Sequence, residues 1–555
     1  MSLDGAASML AILIFLIASG VASAQPVSQP AGCAMARPWS ACDLEFELAP
    51  QENPERAELR AEFRSPRFKT YLVRAFLDGR KLIIRFAPTG AGNWVYRLTS
   101  SLPRLDGQSG TVTAAESDSP GFVRVANVHH FATENLKQHL WMAAAIDRFA
   151  EMPRADFDRL VEQRSQEKFS HLRVTIDAGT NLDEAAARVR AINDKGLTVD
   201  IVLAAIPVDA RQREGYLNSI VARFSAFNIT WAGMPPFETA THGRAVMKDT
   251  GDLLKKLDPY DHPRTTMAAA TSASLAGDGW MNVLTYGTAD QYIGSVEHQF
   301  YQLPALNVEI QSQQDLWNAT MNGQYPASGS GPYMKAWAEF MAGNRYWELE
   351  PYFDVDGGRA LALEGVEYIV YVEKPGLVEL TVENHSYDVV WMNPATGELI
   401  KQKDYKGEHF TGEPPDKSHD WVLRVSREGH KAGMLKSYKF DSRPVPVQEV
   451  ELNPLKVPYE IAAPVGTELS LSKPAPFAVK IKRDSRATRS LLVEWTAEVP
   501  LDGEGYRVVG TGREGTLTIP RSLASRYPAV MSLHLMLLNA NGKAYALDRV
   551  YKLSP

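Results

Sequence analysis

The sequence predicts a multidomain α/β plus all-β protein in which a (β/α)8 TIM barrel is flanked by β-sandwich domains. Three observations predict this. The chain has 555 residues, 45% of them hydrophobic and 23% charged, which suits roughly three to five domains at ~100–200 residues each and is too apolar for a mostly disordered chain. Between residues 140 and 349, eight short apolar runs alternate with stretches at helical spacing. On either side of that region only strand patterning remains. The charge is mixed, with Lys plus Arg at 59 against Asp plus Glu at 66 for a net −7. No long run of one sign occurs, so no nucleic-acid partner is expected.

From the N-terminus, residues 1–24 have the layout of a secretory signal peptide. An apolar run over 9–18 is followed by the small residues Val21-Ala22-Ser23-Ala24, although Asp4 stands where a Lys or Arg is usual. The run is short of the ~20 apolar residues of a membrane span, and no other segment could span a bilayer. The mature chain is therefore expected to be secreted or periplasmic. Residues 25–44 form a linker that carries both cysteines of the chain, Cys33 and Cys42. Their closeness in an exported protein predicts one local disulfide. Two thiolates without a histidine at ligand spacing do not make a zinc cluster, and neither a metal nor another cofactor is expected.

Residues 45–130 read as an N-terminal β-sandwich. The strand 71–76 leads through Asp78-Gly79, a hairpin signal, into 82–86, and a loop at 90–93 feeds 94–98. The barrel is assigned to 135–355, with strands at 140–146, 171–176, 198–204, 228–233, 265–270, 282–286, 305–310 and 345–349. Helical spacing is clearest over 154–167, 183–194 (with Asn181 near the N-cap), 213–224 and 333–342. A doubly wound open sheet is the competing arrangement, but no glycine-rich phosphate loop follows a strand. Residues 360–442 read as a second β-sandwich, with a tight turn at Asn393-Pro394-Ala395-Thr396-Gly397. A proline-marked linker at 444–458 then precedes an immunoglobulin-like β domain over 455–555, whose last hairpin turns at Asn541-Gly542.

In a barrel, chemistry sits at the C-terminal ends of the strands. There, Glu309 is delivered abruptly by the apolar run ending in Asn307-Val308-Glu309, and Glu238 follows the fourth strand after Trp231-Ala232-Gly233-Met234-Pro235-Pro236-Phe237. Carboxylates on strands four and seven face each other across such a mouth and suit a nucleophile and a proton donor at a glycosidic bond. Each has a plainer reading: an ion pair for Glu309, and a solvent-facing loop for Glu238. Further rim candidates for binding substrate are Asp147, Trp231, His242, Tyr286 and Trp347, with Asp177 and Asn181 after strand two. Tyrosine can hold a carboxylate, and tryptophan can floor a sugar ring. His262 in Asp258-Pro259-Tyr260-Asp261-His262-Pro263 reads as a turn cap. The motifs of serine hydrolases, zinc proteases and nucleotide-binding loops are lacking.

Three segments together resemble bacterial apiosidase-like glycoside hydrolases. Residues 74–79, 84–96 and 122–125 resemble the β-sandwich that precedes the catalytic domain of that family. The sequences around Trp231, at 258–263, at Asn307-Val308-Glu309 and at 336–343 are similar to its barrel, and 368–397 to its so-called collagen-binding β domain. The resemblance covers residues 45–440 and implies a retaining glycosidase acting on plant or microbial polysaccharide. It places a nucleophile at Glu309 and an acid/base after strand four. There the usual Asn-Glu pair is replaced by Gly233, Met234 and two prolines, leaving Glu238 for that role. If Glu238 does not fill it, the barrel is a degenerate one that binds glycan without cleaving it. The substrate partner is a polysaccharide or oligosaccharide in either case.

Overall fold

The computed structural model describes residues 33, 36–237, 243–288, 293–427, 450–453, 459–462, 468–470, 473–482, 492–499, 506–517, 530–538 and 544–554. The expected signal peptide at 1–24, Glu238, His242, the prolines at 444–458 and the turn at 541–542 lie outside them. No helix among the described residues is long and apolar enough to cross a membrane.

The N-terminal region consists of two antiparallel sheets. One has the order β3 (Thr70–Arg74), β2 (Leu59–Arg64), β6 (Gly92–Ser100), β7 (Ser109–Ala114); the other runs β1 (Cys42–Glu47), β5 (Lys81–Phe86), β4 (Phe76–Asp78). Burial alternates residue by residue along β2 and β6, the period-two pattern of a sheet with one face in a core. Phe63 of β2 stacks on Phe86 of β5 with ring centroids 3.8 Å apart. Between β4 and β5 the chain turns at Gly79, whose φ of +56° favours glycine. A disulfide joins Cys33 to Cys42 at the head of β1. The hairpin of β8 (Val123–Ala126) and β9 (His130–Thr133) then leads out of this region.

The next region holds two parallel sheets. The first has the order β10 (Ala143–Ile146), β11 (His171–Ile176), β12 (Thr198–Leu203), β13 (Ile229–Gly233), linked by α1 (Arg154–Gln166), α2 (Leu182–Asp194) and α3 (Ala210–Phe224). Asn181 caps α2, its Oδ1 accepting the N–H groups of Asp183 and Glu184. After α4 (Gly243–Leu257) come β14 (Leu284–Tyr286), α5 (Ile293–Phe300), β15 (Ala305–Asn307), α6 (Gln313–Met321), β16 (Gln324–Pro326) and α7 (Pro332–Ala342). Here β14, β15 and β16 form the second parallel sheet. An extended segment lies between the two sheets: Thr265 N donates to the Trp231 carbonyl at 2.8 Å, while Val283 N donates to the Arg264 carbonyl at 3.2 Å.

Two of the expected strands differ. Residues 265–270 form no regular strand; the residue before them, Arg264, makes a single bridge with Trp231. The reason lies in β13, which ends at Gly233 with φ +63°; a Cβ there would lie 2.8 Å from the Thr265 carbonyl oxygen. The chains approach too closely, and with the wrong backbone, for a continuous ladder. The run 345–349 is not a strand either. Glu348 N donates to the Arg345 carbonyl at 2.9 Å and the Arg345 guanidinium pairs with the Glu348 carboxylate, which winds Tyr346–Glu348 into a 3-10 turn. The last parallel strand is instead β16, only three residues long and entered through Gly323 at φ +75°.

Beyond this turn, β17 (Glu350–Tyr352), β18 (Val355–Asp356), β19 (Arg359–Leu363), β20 (Glu367–Val372), β21 (Val378–Met392), β22 (Leu399–Lys401), β23 (Tyr405–Gly412) and β24 (Trp421–Arg427) pair into one eight-stranded antiparallel sheet. The fifteen-residue β21 pairs with β23 up to Tyr387 and with β24 from Tyr387 onward, so it runs from one partner to the other. Against α6, Tyr371 stacks on Trp317 at 6.1 Å and Gln313 donates to Asp420 at 2.9 Å. The C-terminal region pairs β25 (Val450–Leu452), β27 (Glu468–Ser470), β29 (Leu492–Val499), β30 (Tyr506–Thr511), β32 (Val530–Leu538) and β33 (Ala544–Ser554) in one sheet. A second holds β26 (Tyr459–Ala462), β28 (Ala475–Ile481) and β31 (Glu514–Leu517).

Candidate active site

Glu309 lies two residues past the C-terminal end of β15, and its backbone is fixed by the residue that ends the strand. Asn307 Oδ1 accepts the Glu309 N–H at 2.8 Å, while Asn307 Nδ2 donates to Gln324 Oε1 at 2.9 Å and to the Thr288 carbonyl at 3.3 Å. One side chain thus ties the end of β15 to the segment after β14 and to the first residue of β16. The main chain adds further ties, Val308 N donating to the Tyr286 carbonyl at 2.9 Å and Ala327 N to the Asn307 carbonyl at 2.8 Å. The Glu309 side chain is half-buried. Its carboxylate makes no hydrogen bond or ion pair with any described residue. Such a group, on a fixed backbone and with its oxygen lone pairs uncommitted, can attack an electrophilic carbon, accept a proton or bind a sugar hydroxyl.

Tyr286, in register with Asn307 at the end of β14, is buried and serves a different carboxylate. Its hydroxyl bonds to Glu297, which also accepts from Thr271 Oγ1 at 2.5 Å. Burial, followed by the Glu297 charge, pushes the Tyr286 hydroxyl well above its ordinary value. Trp231 is fully buried, with its indole N–H on Asp258 Oδ2 at 3.0 Å. The same carboxylate accepts His262 N at 3.0 Å, His262 Nδ1 at 2.9 Å and Tyr260 N at 3.0 Å. Burial pushes the Asp258 carboxyl up, but the His262 ring and these hydrogen bonds outweigh it and hold the group below its ordinary value. The indole is thereby part of a closed polar turn and offers no face to a ligand. Trp347 is also buried, in the 3-10 turn, edge-on to Tyr346 at 5.1 Å, so it does not stand on a strand end. Asp147 is exposed just beyond β10. Asp177 is exposed too, its Oδ1 taken up by Gly179 N and Thr180 Oγ1. Of the candidates named from sequence, the structure brings Glu309 and Tyr286 onto neighbouring strand ends; Glu238 and His242 lie outside the described residues.

Asn307 as an anchor and Glu297 as the partner of Tyr286 escaped the sequence reading. For Asn307 a signal existed, a polar residue interrupting an apolar strand two positions before the carboxylate. A further set, His129, His298 and Glu350, brings ligand atoms within 4.8 Å of one another and could hold a metal ion. These residues share no sequence spacing that would have drawn attention.

Residues 35–101 match the model of a domain of unknown function, DUF5060. No curated protein matches the chain. Among solved structures, one from Bacteroides vulgatus assigned to the glycoside hydrolases is similar over 71% of this chain and 99% of its own, with a TM-score of 0.61 and 16% identity. The chain has a glycoside-hydrolase-like fold. A family 5 glycoside hydrolase from the same organism covers 58% of this chain and 96% of its own at 12% identity, with a TM-score of 0.49.

Proposed function

We propose that this protein is an exported glycoside hydrolase that cleaves O-glycosidic bonds of a plant or microbial polysaccharide with retention, on a barrel closed by its two parallel sheets. The observation that carries the reading is Glu309: a half-buried carboxylate without a partner among the described residues, held by Asn307 at the C-terminal end of a parallel strand. In the first step a Glu309 oxygen bonds to the anomeric carbon as the glycosidic C–O bond breaks, and Glu238 gives its proton to the leaving oxygen. In the second, Glu238 takes a proton from water, whose oxygen displaces Glu309 and releases the sugar. Retention requires the two carboxyls about 5–5.5 Å apart. Specificity like that of the apiosidase-like family is part of this proposal.

A second reading is supported by the Gly233-Met234-Pro235-Pro236 sequence that follows β13: a barrel that binds glycan without cleaving it. Product release by the chain from Gln25, measured against pectic, arabinan and bacterial exopolysaccharides, separates the two. Under the hydrolase reading wild type releases sugar, Glu309→Gln does not, and Glu238→Gln falls by about 10²–10⁴-fold. Glycan bound by wild type yet left intact across the panel would replace hydrolysis with the binding role.

A further inference from the structure

Three histidine rings converge on one carboxylate where three parts of the chain meet. His129 and His130 stand at the start of β9, His298 is in the last turn of α5, and Glu350 opens β17. Because α5 runs back from the C-terminal end of β14, His298 lies toward the opposite end of the parallel strands from Glu309. His129 Nδ1 is 3.1 and 3.3 Å from the two Glu350 oxygens, His130 Nε2 is 3.7 Å from Oε1, and His298 Nε2 contacts Oε2. The three rings are more than nine-tenths buried, whereas the Glu350 side chain keeps 30% of its surface and leaves a way in.

The proton positions make this grouping unusual. His129 Nε2 lies 2.9 Å from the Tyr301 carbonyl oxygen, which can only accept, so Nε2 carries the hydrogen. Nδ1 then either carries a second proton, donated to Glu350 in a hydrogen bond, or is a lone pair facing carboxylate lone pairs, a contact that a metal ion in place of that proton relieves. His130 differs, because the Tyr325 hydroxyl can donate to its ring and leave the hydrogen on Nε2. Its Nδ1 is 2.6 Å from the Tyr325 hydroxyl, and its Nε2 is buried, facing Glu350 with no hydrogen-bond partner. His298 is pressed into place against Gly323, where a Cβ would lie 2.7 Å from the ring. Imidazole nitrogens and a carboxylate oxygen are the ligands of zinc-like divalent ions. Two ligands on a tetrahedral ion at ~2.0–2.1 Å stand roughly 3.3–3.4 Å apart; His129 Nδ1 is 3.1 and 3.3 Å from the two oxygens of Glu350, whereas the His298 Nε2 contact with Oε2 is shorter and opens to admit the ion.

We propose that His129 Nδ1, His298 Nε2 and Glu350 form a binding site for one divalent transition-metal ion, with His130 packed beside it. The Tyr301 carbonyl orients the His129 ring from behind, as outer partners do in metal sites. The ion clamps the β8–β9 hairpin, α5 and the sheet that begins at β17. It is independent of the glycosidase reading. The experiment uses the untagged chain from Gln25, stripped with a chelator and titrated with Co²⁺ while its visible absorption is read. The expected result is one Co²⁺ per chain with the ligand-field bands of a four- or five-coordinate ion, displaced by Zn²⁺, and a Tm that rises with Zn²⁺. In Glu350→Gln and His298→Gln, affinity falls by more than the 10–100-fold that outer partners contribute. Substoichiometric Co²⁺ uptake by folded wild type overturns the site and leaves an imidazolium–carboxylate cluster in its place. Equal affinity in folded Glu350→Gln also overturns it.

Discussion

Glu309 and Glu350 are both half-exposed carboxylates at strand ends, yet their surroundings are opposite. Glu309 has its backbone fixed by Asn307 and its carboxylate left without a partner among the described residues. Glu350 is met by three imidazole rings. Burial pushes the Glu350 carboxyl up, but His298, His129 and His130 overcome this and hold it well below the ordinary carboxylate range. The difference teaches where function and stability part. A carboxylate on which side chains from three parts of the chain converge holds those parts together, whereas one fixed only through its backbone is left open to an incoming group.

The widest separation is expected from Glu309→Gln. Turnover falls to background while urea unfolding stays within about 0.5 kcal/mol of wild type, because no contact of the side chain is lost. A stability loss above 2 kcal/mol would reveal a structural partner and blur the contrast. Glu350→Gln does the reverse, lowering unfolding free energy by about 1–3 kcal/mol, since the rings lose the charge on which they converge. Asn307→Ala tests the link between the two behaviours. Losing its hydrogen bonds to the Glu309 N–H, Gln324 and Thr288 costs about 1–2 kcal/mol of stability, and kcat falls more than KM rises because the carboxylate loses its position. The smallest effect belongs to Trp231→Phe, which deletes the indole hydrogen bond to Asp258 and costs about 1 kcal/mol. With the indole closed off from ligand, KM stays unchanged; a raised KM would return Trp231 to the binding surface.

Much of this contrast was legible in the sequence, for stated reasons. The helices were readable because apolar spacing and an Asn181 cap both encode them locally. The place of Glu309 just beyond β15 was readable because a carboxylate there follows an apolar run. The strand at Gln324–Pro326 was not, since three residues carry no period and the aromatic run at 345–349 imitated a strand better. The burial of Trp231 and Trp347 was hidden because a tryptophan at a rim and one in a core look alike in sequence. The histidine cluster was the least readable of all, assembled from residues 129, 130, 298 and 350 only when the chain folds.

The nucleophilic role proposed for Glu309 is tested most directly by trapping. Wild type is mixed with the substrate found by the polysaccharide panel, quenched in acid during steady turnover, digested and mapped by mass spectrometry. The expected result is one glycosyl adduct on the peptide containing residues 305–310, carried by Glu309 and missing from Glu309→Gln. An adduct on another carboxylate, or turnover that survives in Glu309→Gln, would contradict it.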